Sequence, residues 1–440
     1  MEDIYRVRVL PSEVRIEQIS LEQEHTERKH LFPYYKNEPQ DLPVIRIPIG
    51  LPVYRMANFR TITNQSTYIR KNNLKIDFFS KGQENESVQK IQHHFLYQYS
   101  QKGKGETIVP IKEVLETEKQ HEPLLITFDG VVVNGNRRLS AMRELYSSGI
   151  EHFSHVDCMV LPINANVDEL REIEIKLQMT RPTILPYEWL NEGYAIKELL
   201  HVGYSKSRIA DLMRKKTGEI DIRIVAVDQA ELYLSEWLEE PGDYSLLEES
   251  NEQMFMDIAR NLKNKSGEDL EASRYIAFIL ANYSRSLGTR VYDYKASFGT
   301  KSIEVLEKLA KRHNVDLSQV PVDEELQIEL DFEIDDEPGT EAITSYKPII
   351  ELLKDKSRSE ELVEDITDIF DGIKAEENDQ NKSQLALKKI KEALTRLMEV
   401  DLTRAENITY DPISQQLASI QQRVTQLQNE LDTIIQTIRE

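Results

Sequence analysis

From Leu124 to Leu145 the chain changes its hydrophobic period within a single short stretch, and few folds satisfy both halves. Leu124 to Phe128 is an apolar run that reads as a strand. Asp129-Gly130 is a two-residue hairpin signal, because both central residues of a type I′ turn take positive φ. Val131 to Val133 is the return strand, and Asn134-Gly135 breaks it. From Asn136 the period is helical, with Leu139, Met142 and Leu145 three apart and Gly149 placed to end the helix. A helix therefore starts at Gly135-Asn136-Arg137-Arg138. Unpaired backbone N–H groups, the positive end of the helix dipole and two guanidinium groups would meet there, which suits an anion and above all phosphate. The plainer alternative is a β–α turn carrying a surface arginine pair.

The chain has 440 residues, enough for two or three domains with sizeable cores. Its formal net charge is −22, which argues against a general nucleic-acid binder, since phosphate contacts supply most non-specific affinity. Cys158 is the single cysteine, so no intramolecular disulfide or thiol metal cluster can form. No apolar run approaches a membrane span and the N-terminus carries no signal-peptide pattern, so the expectation is a cytoplasmic protein.

Residues 1–40 show no clear period and read as an extension. Val44 to Pro52 reads as an edge strand limited by its prolines, followed by a segment ending in Arg60. A helix is expected over Ser87–Tyr99 and an amphipathic piece over Ile108–Glu118. Gly103-Lys104-Gly105 lacks the spacing of a phosphate loop. Ser154 to Pro162 is a further strand. His152 and His155 flank it, but no acidic or thiol partner stands at ligand spacing, so no metal site is assigned. Cys158 reads as a small buried hydrophobe. Val167 to Gln178 is helical and leads into Arg181, Ile184, Pro186 and Glu188 at the start of another helix.

Three of these segments, in this order, resemble the ParB/sulfiredoxin-like superfamily. The first is a strand followed by a late arginine, here Arg60. In the second, a strand ends in Asp-Gly-x-x-Arg and feeds a phosphate-holding helix, here Asn134 to Arg138. The third is a Glu-Asn-x-x-Arg box followed by an aliphatic residue, a proline and a glutamate. Here Arg181, Ile184, Pro186 and Glu188 keep the offsets, while Leu177 and Gln178 replace the Glu and Asn. The resemblance covers about residues 44–200. It implies an α+β chain, with a small mixed sheet in a nucleotide-binding domain over 41–165. It also implies CTP or ATP as ligand, with or without Mg²⁺, on Gly135, Asn136, Arg137, Arg138, Arg181, Gln178 and Arg60. The missing acids at 134 and 177 favour binding over hydrolysis. Glu174, one helical turn before Gln178, is the carboxylate available to replace the family's catalytic one. Asn136 stands where a sulfiredoxin-type reductase needs cysteine, which excludes that activity.

Residues 166–240 read as helices arranged like a helix-turn-helix. Ser205 caps the second, Lys215 to Gly218 close it, and the third runs from about Ile220 to Leu238. The family places DNA here, which would fall on Lys206, Arg208, Arg214 and Lys215. The acidic start of the third helix, Glu219 and Asp221, argues against base reading. Residues 241–320 continue as helices, with basic and aromatic residues interleaved over Arg285–Lys295. Residues 321–345, which include the acidic stretch 323–337, read as a strand or linker. Residues 346–405 are helices interrupted over Ala375–Ser383.

Over 411–440 the positions Ile413, Leu417, Ile420, Val424, Leu427, Leu431, Ile434 and Ile438 repeat at 4,3 spacing, a coiled-coil seam. The expected assembly is a homodimer or higher homo-oligomer through residues 413–438, with folding back onto Leu385–Leu397 as the monomeric alternative. The reading as a whole is a nucleotide-dependent dimeric switch, DNA-associated as in partition or genome-defence systems. A nuclease or phosphotransfer enzyme on the same fold, and a non-enzymatic scaffold for protein partners, stand beside it.

Overall fold

A computed structural model describes residues 5–103, 109–180, 187–247, 251–283, 288–317, 319–320, 343–404 and 406–439. The chain divides into two units, residues 1–367 and 368–440. It is α+β, as expected.

The first unit opens with α1 (Ser12–His25), β1 (Lys29–Phe32), β2 (Gln40–Pro48) and β3 (Val53–Tyr54). Three helices follow: α2 (Ile62–Lys71), α3 (Glu86–Ser100) and α4 (Ile111–Glu118). Next come β4 (Leu124–Ile126), β5 (Val131–Asn134), α5 (Asn136–Ser147) and β6 (His155–Val160). The six strands form one mixed sheet in the order β1-β2-β6-β4-β5-β3. The β6–β4 and β5–β3 pairings are parallel and the others antiparallel.

Alternation along the strands builds two cores, because successive side chains point to opposite faces. Ile45, Ile47, Leu124, Ile126, Val132, Val156 and Cys158 pack on one face with Leu96 of α3 and Leu139 and Met142 of α5. Val44, Leu125, Val133 and Met159 pack on the other with Ile173. Cys158 is the buried hydrophobe expected, and burial pushes its thiol pKa far up.

Three expectations change here. β2 is not an edge strand: β1 pairs along its outer side, with Lys29 opposite Pro43. Residues 5–40 are part of the domain. Tyr5, Val7 and Ile19 enter the first core and Phe32 and Tyr35 the second. Arg15, fully buried, is held through Nη1 and Nη2 by Glu84 at 2.7 and 2.9 Å, and its Nε donates to the Asp129 carbonyl at 2.9 Å. The β4–β5 turn is not type I′. It closes by Gly130 N–H to the Thr127 carbonyl at 3.0 Å, and only Gly130 takes positive φ, at 84°. A longer loop with a single left-handed glycine serves the same hairpin.

The helical part runs through α6 (Val167–Thr180), α7 (Trp189–His201), α8 (Lys206–Met213) and α9 (Thr217–Leu232). Ser205 Oγ caps α8 by accepting from Arg208 N–H at 3.2 Å, as expected. Gly218 lies inside the first turn of α9 and not in the preceding turn, where Arg214 takes the left-handed conformation (φ 54°). α9 ends at Leu232 and a π-helical turn, Tyr233–Trp237, follows. Then come α10 (Asn251–Leu262), α11 (Gly267–Asn282), a 3₁₀ run over Gly288–Ser297, and α12 (Ser302–Arg312). A two-stranded ladder of β7 (Gln319–Val320) and β8 (Ile343–Thr344) precedes α13 (Lys347–Lys354). The acidic stretch 323–337 and residues 284–287 lie outside the described residues.

α14 (Ser359–Met398) continues through 375–383 without the expected break; no glycine or proline interrupts that polar stretch. α15 (Tyr410–Arg439) is one helix across the heptad region. Among the described residues no helix is long and apolar enough to cross a membrane.

Candidate functional site

Gly135, at φ 96°, turns the chain from β5 into α5. A Cβ there would lie 2.5 Å from Leu124 Cδ2, so the fold itself requires the glycine. The first N–H groups of α5 have no partner within the helix and give its start a positive potential. Asn136 Nδ2 donates to the Val132 carbonyl at 3.0 Å, while its buried Oδ1 has no hydrogen-bond partner among the described residues. The side chain therefore ties the helix to the strand and spends its donor there.

The next two arginines differ. Arg138 is folded back: Nη1 donates to the Glu122 carbonyl at 2.8 Å, and Nη2 to Asn134 Oδ1 at 3.3 Å. Burial brings its pKa down to about 10. Arg137 makes no ion pair among the described residues. Its Nη1 donates to the Tyr99 carbonyl at 3.4 Å. Burial first, then the Arg60 and Arg138 charges, lower the Arg137 pKa well below the usual arginine value.

Arg60, brought in by the turn before α2, is buried. Its Nη2 donates to Gln178 Oε1 at 2.6 Å, and its guanidinium lies 5.1 Å from the Tyr187 ring centre and 6.0 Å from that of Tyr99. Burial lowers its pKa too. Arg60, Arg137, Arg138, Gly135, Asn136 and Gln178 all line one cleft of about 520 Å³, whose apolar wall is Leu96, Val109, Ile111, Val114, Leu115 and Val133. That volume suits a small organic ligand. The structure thus brings six of the seven expected ligand residues together. The seventh, Arg181, lies outside the described residues, as do Ile184 and Pro186.

Glu174 also lines the cleft, but its oxygens are committed. Oε2 accepts from Arg55 Nη1 at 2.7 Å; Oε1 accepts from Phe59 N–H and the Tyr187 hydroxyl, each at 3.1 Å. Leu177 packs with the core on the other face of the sheet. α6 thus turns Glu174 and Gln178 to the cleft, four apart on one face, and Leu177 away from it. Sequence reasoning missed Arg55, Tyr99 and Tyr187. Tyr99 and Tyr187 carried no motif, and Arg55 joins Glu174 only through the tertiary fold.

The four basic residues expected on DNA are mostly neutralised at home. Lys206 pairs with Asp221 at 2.6 Å, Lys215 with Glu192 at 2.8 Å, and Arg208 with Glu172. Arg214 is exposed. One trio elsewhere, His313, Glu361 and Asp365, is close enough to share a metal ion. It is already charge-matched: Arg358 donates to His313 Nδ1 at 2.9 Å and Arg312 pairs with Asp365 at 2.6 Å.

No protein-family model matches the chain. A search among curated proteins returns no match. Among solved structures, the chain is similar to the C-terminally truncated chromosome-partitioning protein ParB from Caulobacter crescentus, crystallised with CTP-γ-S. The identity is 13% over 49% of this chain and 97% of that chain, with a TM-score of 0.15. A likeness at that level assigns no role to any residue here.

Proposed function

We propose that this cleft binds a nucleoside triphosphate, CTP or ATP, and that the chain is a nucleotide-dependent switch assembled as a homo-oligomer through residues 413–438. The observation that carries the reading is Arg137, a part-buried guanidinium at a helix start without an ion pair among the described residues. Such a group costs the fold stability unless an anion neutralises it. The start of α5 supplies N–H donors to the same anion. A triphosphate, with Mg²⁺ carried on it, brings the negative charge that Arg137 lacks, and the apolar wall offers a surface for a base. Gly135 shapes the entrance, and Arg138 holds the loop at Glu122 against it.

The site is built for binding without turnover. Glu174 is bonded to three partners, Leu177 faces a core, and Asn134 Oδ1 accepts from Arg138, so none of them is a free general base. A nuclease or phosphotransfer role would need one.

Calorimetry with CTP, ATP and GTP, with and without Mg²⁺, tests the proposal. Wild type is expected to bind CTP or ATP, and Arg137→Ala to weaken that binding at least about a hundredfold, as befits loss of a charge-assisted contact in a dry site. Absence of heat with every nucleotide would overturn it. Steady turnover by wild type would overturn the binder reading alone.

A further inference from the structure

The last helix presents its seam to solvent. In α15, Leu417 is 47% exposed, Val424 47%, Leu431 55% and Ile434 56%. Leu387, Ile390, Leu394 and Leu397 of α14, the fold-back alternative, are exposed as well. Neither seam covers the other.

Heptad chemistry says what covers α15. With Leu417, Val424 and Leu431 as a positions, d holds Ile420, Leu427 and Ile434. In the two outer heptads leucine at a stands with isoleucine at d, which disfavours the parallel dimer; only the central pair, Val424 and Leu427, suits one. In a fully overlapped antiparallel pair, each a position instead meets a d position of the second copy. Leu417 then faces Ile434, Val424 faces Leu427, and Leu431 faces Ile420. Every one of these layers sets a β-branched side chain against a leucine.

The flanking positions agree. From Ser414 to Ile435 the edges of the seam carry only two charges, Arg423 and Glu430, both at g. Within one helix they lie on the same edge, 3.3 Å apart and each 59% exposed. In the antiparallel overlap, g meets g, so Arg423 of each copy stands beside Glu430 of the other, twice over. In a parallel pair g meets e, and the same two residues would face Gln428 and Ile435. The remaining edge positions are uncharged, so the chain's acidity does not oppose the contact.

We infer that α15 is an antiparallel self-association surface whose occupant is α15 of a second copy, in full overlap. This rests on the homo-oligomer reading above and adds its orientation.

The test uses the full chain and disulfide trapping. Leu417 and Ile434 are about 25 Å apart along the helix, and the native Cys158 is buried and silent. A mixture of Leu417→Cys and Ile434→Cys chains is expected to give the mixed disulfide, and neither variant to trap itself. Ser414→Cys with Ile435→Cys repeats the test at the edge, leaving the seam intact. In sedimentation, the wild type is expected to be a dimer. Arg423→Glu should weaken that dimer about tenfold, and Arg423→Glu/Glu430→Arg should restore it. Self-trapping of Leu417→Cys would overturn the orientation and leave a parallel dimer. A monomeric wild type would overturn the orientation and the oligomer together.

Discussion

Glu174 Oε2 accepts a hydrogen bond from Arg55 Nη1 at 2.7 Å, and both side chains are more than nine-tenths buried. The carboxylate that sequence position offered as a base is thus the anchor between α6 and the chain leading into α2. Its burial raises its pKa even against Arg55, whose charge lowers it.

Glu174→Gln should therefore act on stability. It leaves Arg55 buried without its counter-charge, a loss of about 3 kcal/mol. Arg55→Gln/Glu174→Gln should recover part of it, because the two residues act as a pair. Thermal or urea unfolding of the three variants checks this. An unchanged midpoint for Glu174→Gln would show the carboxylate to be free for other work.

Arg137 should behave in the opposite way. Its lowered pKa means that the fold disfavours its charge, so stability rises when the charge is removed. Arg137→Met keeps the bulk and should stabilise the ligand-free chain by about 1 kcal/mol. Wild type, given nucleotide at about a hundred times its Kd, should gain about 2.7 kcal/mol, and the variant at the same concentration no more than about 0.4 kcal/mol. Melting curves with and without CTP or ATP read both effects.

Where period and turn chemistry agreed, the sequence was legible. The Leu124–Leu145 stretch reads as strands and helix because Gly130 and Gly135 need positive φ and the apolar residues change spacing between them. Arg137 and Arg138 were visible as a pair, but their difference was not. That difference depends on Glu122 and Asn134 holding one of them and on Tyr99 meeting the other. Residues 5–40 were misread because Arg15 and Ile19 find their partners, Glu84 and the sheet, far along the chain. Long-range pairs of that kind leave no local period. The break expected near 375–383 failed for a related reason: polarity alone does not end a helix that lacks glycine or proline.

Asp157 on β6 gives a pH signature to the sheet. Arg28 Nη2 reaches it at 2.7 Å and Arg46 Nη1 at 3.3 Å. Burial works against its charge, but the two arginines hold its carboxyl below the usual pKa. A depressed acid stabilises the fold above its unfolded pKa of about 3.9 and loses that contribution as pH falls through the lower folded value. Asp157→Asn should cost about 1 kcal/mol at pH 7, a modest value because the arginines are half-exposed. The difference from wild type should close as pH falls through the depressed folded value. Urea unfolding at stepped pH measures it.

Any DNA binding by α8 and α9 should show in salt dependence. Each phosphate neutralised by a free cation contributes about −0.9 to the slope of log K against log salt. Lys206, Arg208 and Lys215 are already paired with Asp221, Glu172 and Glu192, so releasing them to phosphate would cost those ion pairs. Arg214 makes no ion pair among the described residues and stands exposed beyond α8. The wild-type slope for duplex DNA should therefore be no steeper than about −2. Asp221→Asn frees Lys206, which lies at the exposed start of α8, and should steepen the slope by about one contact. Fluorescence anisotropy with a labelled duplex across a salt series gives both numbers. A wild-type slope of about −5 or steeper would mean that these pairs open on DNA and that α8 is a DNA-facing helix after all.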